Sequence, residues 1–200
     1  MATGDYVTTD EFKQARRIGD SLDDAQIAPF ITAASRQVDT HCGRRFYLDT
    51  EASTRTYEPS DDCELIVDDF GTTTGLVVVE SGTTLTLNTH FYLHPLNGLT
   101  EWGEAGPYYV LEKFNDQPWL DYDNGGSISV TAKWGWPAVP EQVKQATIML
   151  TADLMASRDN AFGVVGLDAG AAIRMRMNST AAALLASYRR GDTAPAFGLA

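Results

Sequence analysis

"KWGWPAVPEQVKQATIML", residues 133–150, holds the junction on which the reading of this chain turns. Just upstream, Ile128, Val130 and Ala132 alternate with Ser129, Thr131 and Lys133, the period-2 pattern of a strand with one buried face. Gly135 lets the chain turn, and Pro137 and Pro140 cannot donate to a sheet ladder, so the strand must stop there. Pro140 suits the first turn of a helix, and Glu141 complements the positive end of its dipole. Val143, Ala146, Leu150 and Leu154 then recur at helical spacing and predict one buried stripe. Trp134 and Trp136 sit where they could cover the strand–helix corner. None of these side chains is a nucleophile or a good general base, so the junction reads as a structural corner.

Toward the N-terminus the texture is helical. Thr8 followed by Glu11 forms a capping box that opens a short helix over 9–17, with Gly19 expected to close it. Ser21 or Asp23 starts a longer helix whose apolar face is Ile27, Ile31, Ala34, Val38 and Cys42, and Gly43 ends it. Pro29 falls inside that pattern and predicts a kink or a late start. From about 50 to 134 the sequence changes to short β-like runs between turn residues: "RTYE", "CELIV", "LVVVE", "TLTL", "HFYLH", "YYVLE" and "SISVTAKW". A third long helix covers about 140–158. Beyond it, "NAFGVVGLDAGAA" has no steady period, and "IRMRMNSTAAALLASYRRG" supplies Arg174, Arg176, Arg189 and Arg190 without an acid. Asn178 or Ser179 can cap a short helix there that carries Leu184, Leu185 and Tyr188.

The expected fold is therefore α+β: a mainly helical core of three to four helices, a β-rich insertion between the second and third long helices, and an extended C-terminal tail. The segments are 1–48 for the N-terminal part of the core, 49–134 for the acidic β insertion, 135–160 for the core helix, and 161–200 for a flexible basic tail.

The chain has 200 residues, 44% of them hydrophobic, enough for a real core. No run approaches a membrane span, and "MATGDYVTTDEFK" lacks the basic and apolar regions of a signal peptide. A soluble protein made in a cytoplasm is expected, with Cys42 and Cys63 reduced. The net charge of −12 is unevenly spread. Residues 49–124 hold 15 Asp and Glu against two basic residues, Arg55 and Lys113, a net of −13. Duplex DNA carries about one negative charge per 1.7 Å, so this segment would repel it.

Chemistry is hard to find. His90 and His94 lie on one face of a strand but about 13 Å apart, too far to chelate one metal. "HFYLH" also lacks the Glu of a zinc-protease helix. His41 ends a helix, where its charge is favourable. Asp61/Asp62, Asp68/Asp69 and "DYDNGG" at 121–126 suggest calcium at first sight. Asp121 and Asp123 match the start of an EF-hand loop, but Gly125 takes its fifth place. There is no GxSxG, no GxxxxGK[ST] and no GxGxxG after a strand. The sequence predicts no catalytic residue, no cofactor and no metal site.

The residues do resemble those of a known family, the head–tail connector (adaptor, or head completion) proteins of tailed bacteriophages. The helix end "ITAASRQVDTHCGRRF" carries Ala34, Ser35, Gly43, Arg44 and Phe46 as in that family. The junction Gly135, Trp136, Pro137, Pro140, Val143 and Ala146 is similar to its strand-to-helix corner. The tail "LLASYRR", Leu184 to Arg190, resembles its C-terminal signature. The region between matches in position and texture only. The resemblance implies a structural neck protein in the virion, assembled in the host bacterial cytoplasm. It implies a ring of copies, expected to be twelvefold, beneath the portal, linked to the next neck, stopper or tail protein. Genomic DNA would pass through the channel without specific binding, and no membrane is involved. Within that resemblance the tail residues Arg174, Arg176, Leu184, Leu185, Tyr188, Arg189 and Arg190 are the candidate portal-binding set. The other readings are a tail-completion or stopper protein of the same neck, and an acidic β-domain enzyme or glycan-binding module.

Overall fold

The computed structural model describes residues 4–19, 24–59, 63–120, 128–159 and 178–190. The chain divides into two compact units, a helical one drawn from residues up to Phe46 and from Val139 onward, and a β unit over Tyr47–Ala138. Among the described residues there are four α-helices and two antiparallel sheets.

In the helical unit, α1 (Thr9–Arg16) begins with the predicted capping box: Thr8 accepts from the Glu11 N–H, and Glu11 from the Thr8 N–H. Its end differs from expectation. Arg17, not Gly19, takes the left-handed position, at φ 58°, and its N–H reaches back to the last carbonyls. The next helix, α2 (Asp24–Cys42), runs through Pro29 from Asp24, so Pro29 is neither its start nor its end. Ile27, Ile31, Ala34, Val38 and Cys42 are all buried, as their spacing requires. They pack against α3 (Glu141–Asp159), where Val143, Ala146 and Leu150 are buried and Leu154 is half-buried. Thr147 and Thr151 are also buried in α3, and each hydroxyl is satisfied by the carbonyl one turn back.

Part of the stretch expected to be an extended tail belongs to this unit. Asn178 caps α4 (Ser179–Leu185) by accepting from the N–H groups of Thr180 and Ala181, and a 3₁₀ turn, Ala186–Tyr188, follows. The reason is spacing: Ala181, Leu185 and Tyr188 form one stripe, and all three are buried. Burying side chains the size of Leu and Tyr stabilises by roughly 1.5–3 kcal/mol each, enough to hold a short helix that would not persist alone. Residues 160–177 and 191–200 lie outside the described residues.

The β unit contains β1 (Ser53–Tyr57), β2 (Glu64–Phe70), β3 (Val77–Glu80), β4 (Thr83–Leu85), β5 (Phe91–His94), β6 (Tyr108–Lys113) and β7 (Ile128–Ala132). All seven predicted runs are strands. One sheet has the order β1-β7-β3-β4 and the other β2-β6-β5. The first and last strands pair antiparallel, Ser53 opposite Ala132 and Tyr57 opposite Ile128. The β3–β4 hairpin turns on Ser81 and Gly82, both at positive φ, the pattern whose twist suits a two-residue hairpin. Alternate residues of both sheets face one core: Leu65, Val67 and Phe70 from β2, Phe91, Leu93 and Leu111 from β5 and β6, and Ile128, Val130 and Ala132 from β7. Trp134 closes it, with its indole N–H on the Ser53 carbonyl.

Candidate functional site

The opening junction is a backbone lock within the β unit. Gly135 sits at φ +106°, and a Cβ there would lie 1.8 Å from the Tyr47 carbonyl oxygen. Its N–H donates to the Asp69 carbonyl at 2.7 Å, and Asp49 N–H donates to the Trp134 carbonyl at 2.8 Å. Trp136 is buried and its indole N–H lies 3.2 Å from Asp69 Oδ2. Gly71 is pressed so closely on Pro137 that a Cβ would come within 2.5 Å of its nitrogen. Asp69, half of an acidic pair that suggested calcium, thus holds a tryptophan. Its neighbour Asp68 accepts from Arg55 Nη1 at 2.5 Å and from the Tyr57 hydroxyl at 2.8 Å. Burial, with Asp68 beside it, pushes the Tyr57 hydroxyl up to about 12.

A second polar group is buried outright. Lys113 (9% exposed) donates to both oxygens of Glu80 (2% exposed) at 2.6 and 2.7 Å, and to the Pro118 carbonyl at 3.3 Å. Glu80 also accepts from the Leu120 N–H at 2.9 Å, and the Lys113 ammonium lies 4.8 Å from the Trp119 ring centre. Trp119 completes the group by donating to the Cys63 carbonyl at 3.0 Å. The pair pins the chain from Pro118 to Leu120 onto the sheets. The sequence reading counted these two only as charges, because nothing local marks a lysine and a glutamate 33 positions apart as partners.

The histidines do not converge. His94 Nε2 lies 2.6 Å from Glu112 Oε2, whereas His90 Nδ1 accepts from the Thr86 N–H at 2.9 Å. Among the described residues no three His, Cys, Asp or Glu side chains are grouped to hold a metal. Asp61, Asp62, Asp121 and Asp123 lie outside those residues.

The candidate portal-binding residues fall in several environments. Arg174 and Arg176 lie outside the described residues. Leu185 and Tyr188 are buried in their own helical unit, with the Tyr188 hydroxyl 3.0 Å from Gln142 Oε1. Leu184 and Arg190 are half-buried, and Arg189 is exposed. Leu185 and Tyr188 therefore hold α4 in place within that unit. Gly43, at φ +64°, has Arg190 Cβ as its neighbour, which brings the end of α2 with Arg44 and Arg45 to the end of the α4 segment. Beneath lies a chain of edge-on rings, Tyr6 on Phe46 and Phe46 on Tyr188. The Tyr6 hydroxyl donates to Asp39 and accepts from the Phe46 N–H at 2.9 Å. Burial raises the Tyr6 hydroxyl and also the Asp39 carboxyl, and it pushes the Cys42 thiol up to about 12.

One surface was missed by sequence reasoning altogether. The connection between β5 and β6, residues 95–107, exposes Leu96, Leu99 and Trp102, the last at 72%. It is built from within. Gly98 N–H donates to Pro95, Thr100 N–H to Glu104, Gly103 N–H to Thr100 and Gly106 N–H to Gly98, all at 2.8–2.9 Å. Leu99 and Ala105 form a β-bridge, and Gly98 packs so closely on Tyr108 that a Cβ would lie 2.7 Å from its hydroxyl. The signal in the sequence was "NGLTEWGEAG", where closely spaced glycines bracket a tryptophan that belongs to no alternating run.

Charge follows the two units. Residues 47–138 hold 15 acids against Arg55, Lys113 and Lys133, a net of −12, whereas the helical unit's segments hold 12 of each sign.

No protein-family profile matches the sequence, and no curated protein matches it. Solved structures do match. One chain, from the neck of an empty GTA particle computed with C6 symmetry, is 15% identical with a TM-score of 0.55, over 94% of this chain and 92% of that one. Another, from the neck of a native GTA particle computed with C12 symmetry, is 15% identical with a TM-score of 0.54, over 94% and 91%. A third, from the virion of a native gene transfer agent (GTA) particle, is 16% identical with a TM-score of 0.54, over 94% and 92%. Across nearly its whole length, this chain has the fold of a chain found in the neck of a gene transfer agent particle.

Proposed function

We propose that this protein is a structural neck component of a tailed-phage-like virion, a head–tail connector that acts as a ring of copies and not as an enzyme. The observation that carries the reading is the match to neck chains over 94% of this chain and more than nine-tenths of theirs, so the likeness is to a whole protein and not to a shared module. In this reading the ring, twelvefold, docks beneath the portal of the filled head, joins it to the next neck, stopper or tail protein, and leaves a channel for DNA. The net of −12 on the β unit fits a channel through which a polyanion passes without sticking. The protein is made in the host cytoplasm and ends in the virion.

For the portal contact, the charged members of the tail set are the useful ones. Arg174, Arg176, Arg189 and Arg190 can pair with carboxylates on a partner, since the guanidinium fork matches a carboxylate in two hydrogen bonds. Leu184, Leu185 and Tyr188 position that segment. The test is to mix the purified protein with portal-bearing heads and image them by cryo-electron microscopy. Ring density beneath the portal is expected. A protein that stays monomeric, leaves heads bare and binds a glycan or turns over a substrate would sink the proposal.

A further inference from the structure

The loop at 95–107 has the makeup of an anchor. Of the four tryptophans, Trp119, Trp134 and Trp136 are buried, and Trp102 alone stands out in solvent, with Leu96 and Leu99 also exposed in the same loop. Large exposed apolar groups grouped in this way mark contact surfaces, and tryptophan is the side chain most often found at their energetic centre. The internal hydrogen bonds and the packing of Gly98 on Tyr108 hold the loop in one shape before any partner arrives. Less conformational entropy is then lost on binding.

The charges around it choose the occupant. Residues 95–107 carry Glu101 and Glu104 and no basic residue, and they belong to a unit of net −12. A second β unit would repel the loop, whereas the helical unit, with its 12 basic residues balancing 12 acids, would not. A contact that closes a ring joins two different surfaces of neighbouring copies, which is what an anchor on one unit and a seat on the other provide. We infer that Trp102, with Leu96 and Leu99, docks on the helical unit of a second copy of this chain, and that this contact joins neighbours around the ring. The inference rests on the neck reading.

Trp102 supplies its own probe, because it is the one exposed indole. In full-length protein brought from dilute to concentrated, or assembled on portal-bearing heads, its emission is expected to shift to the blue and its quenching by acrylamide to fall. With the photo-crosslinker benzoylphenylalanine in place of Trp102, adducts are expected on peptides from 4–46 or 139–190 of a second copy. Trp102→Ser should weaken self-association on the order of tenfold or more while leaving the melting temperature unchanged, and Leu96→Ser should act in the same direction. Adducts on 47–138, or Trp102→Ser rings that form as readily as wild-type rings, free or on heads, would overturn the inference and leave the neck reading standing. Failure of both proteins to form rings in either setting would overturn the neck reading and this contact with it.

Discussion

Replacing Gly135 with alanine tests whether the junction is a lock. Two penalties add at this position. The first is conformational: a side chain at φ +106° costs about 1–2 kcal/mol. The second is steric. The new Cβ would lie 1.8 Å from the Tyr47 oxygen, and ordinary contact begins at 3.4 Å, so backbone must retreat by about 1.6 Å. That movement breaks or stretches the Asp49–Trp134 and Gly135–Asp69 hydrogen bonds, each contributing about 1 kcal/mol net. The sum is about 3–4 kcal/mol, a large share of the stability of any domain. Gly82→Ala is the control, because Gly82 has φ +80° but nothing within 4 Å of its Cβ, so only the first penalty applies. Urea unfolding followed by the emission of the buried Trp119, Trp134 and Trp136 reports the β unit. Gly135→Ala is expected to lower that transition by about 2 kcal/mol more than Gly82→Ala. Equal losses from the two substitutions would refute the lock.

Other substitutions probe the remaining contacts. Lys113→Met leaves Glu80 buried without its counter-ion and should cost about 3–5 kcal/mol, while Lys113→Met with Glu80→Leu should recover much of it in the same urea assay. Leu185→Ala should destabilise the helical unit by about 2–5 kcal/mol, read by circular dichroism at 222 nm. A truncation that removes α4 should lower the melting temperature for the same reason. Cys42, buried and with its thiol pushed up to about 12, should react with a thiol reagent at pH 8 only when the protein unfolds. Thr8→Ala should cost about 1 kcal/mol by losing the cap. The Thr8 N–H holds the Glu11 carboxyl below the usual range, so its contribution is present above the ordinary glutamate value and is lost as pH falls through the lowered one. Thr8→Ala keeps that N–H and removes only the hydroxyl, so a proton titration of Glu11 should stay below the usual range and move upward only by the smaller part the hydroxyl contributes.

What the sequence disclosed were features whose cause is local. Thr8 with Glu11, the alternation Ile128–Val130–Ala132 and the stripe Val143–Ala146–Leu150 each carry their physics within a few residues, and each element lies where that physics puts it. Helix α1 shows how a local rule can mislead, since Arg17 takes the left-handed turn two residues before the glycine that would adopt it most easily. Strand order was not legible, because β7 sits between β1 and β3 through contacts spanning the whole unit. The same is true of the candidate surfaces. Leu184, Leu185 and Tyr188 form a sticky stripe in sequence, and nothing in a single stripe says whether its own unit or a partner covers it. Trp102 fell outside every periodic run, so its exposure could be seen only in the fold.

A ribosome delivers this topology in an awkward order. Helix α2 is finished at Cys42, but its packing partner α3 begins only at Glu141, after the whole β unit has been made. At about 5–20 residues per second the buried face of α2 waits about 5–20 s for its cover. The pairing of Ser53 with Ala132 shortens the wait that follows: once β7 docks on β1, the two crossings of the chain into and out of the β unit lie side by side. The long loop between α2 and α3 is then already closed, and the entropy of closing it has been met by strand pairing. A nascent chain slowed or cut before α3 is made would leave Ile27, Ile31 and Val38 uncovered, so the buried face of α2 gains its cover only as synthesis passes Glu141–Asp159, with β7 already docked on β1.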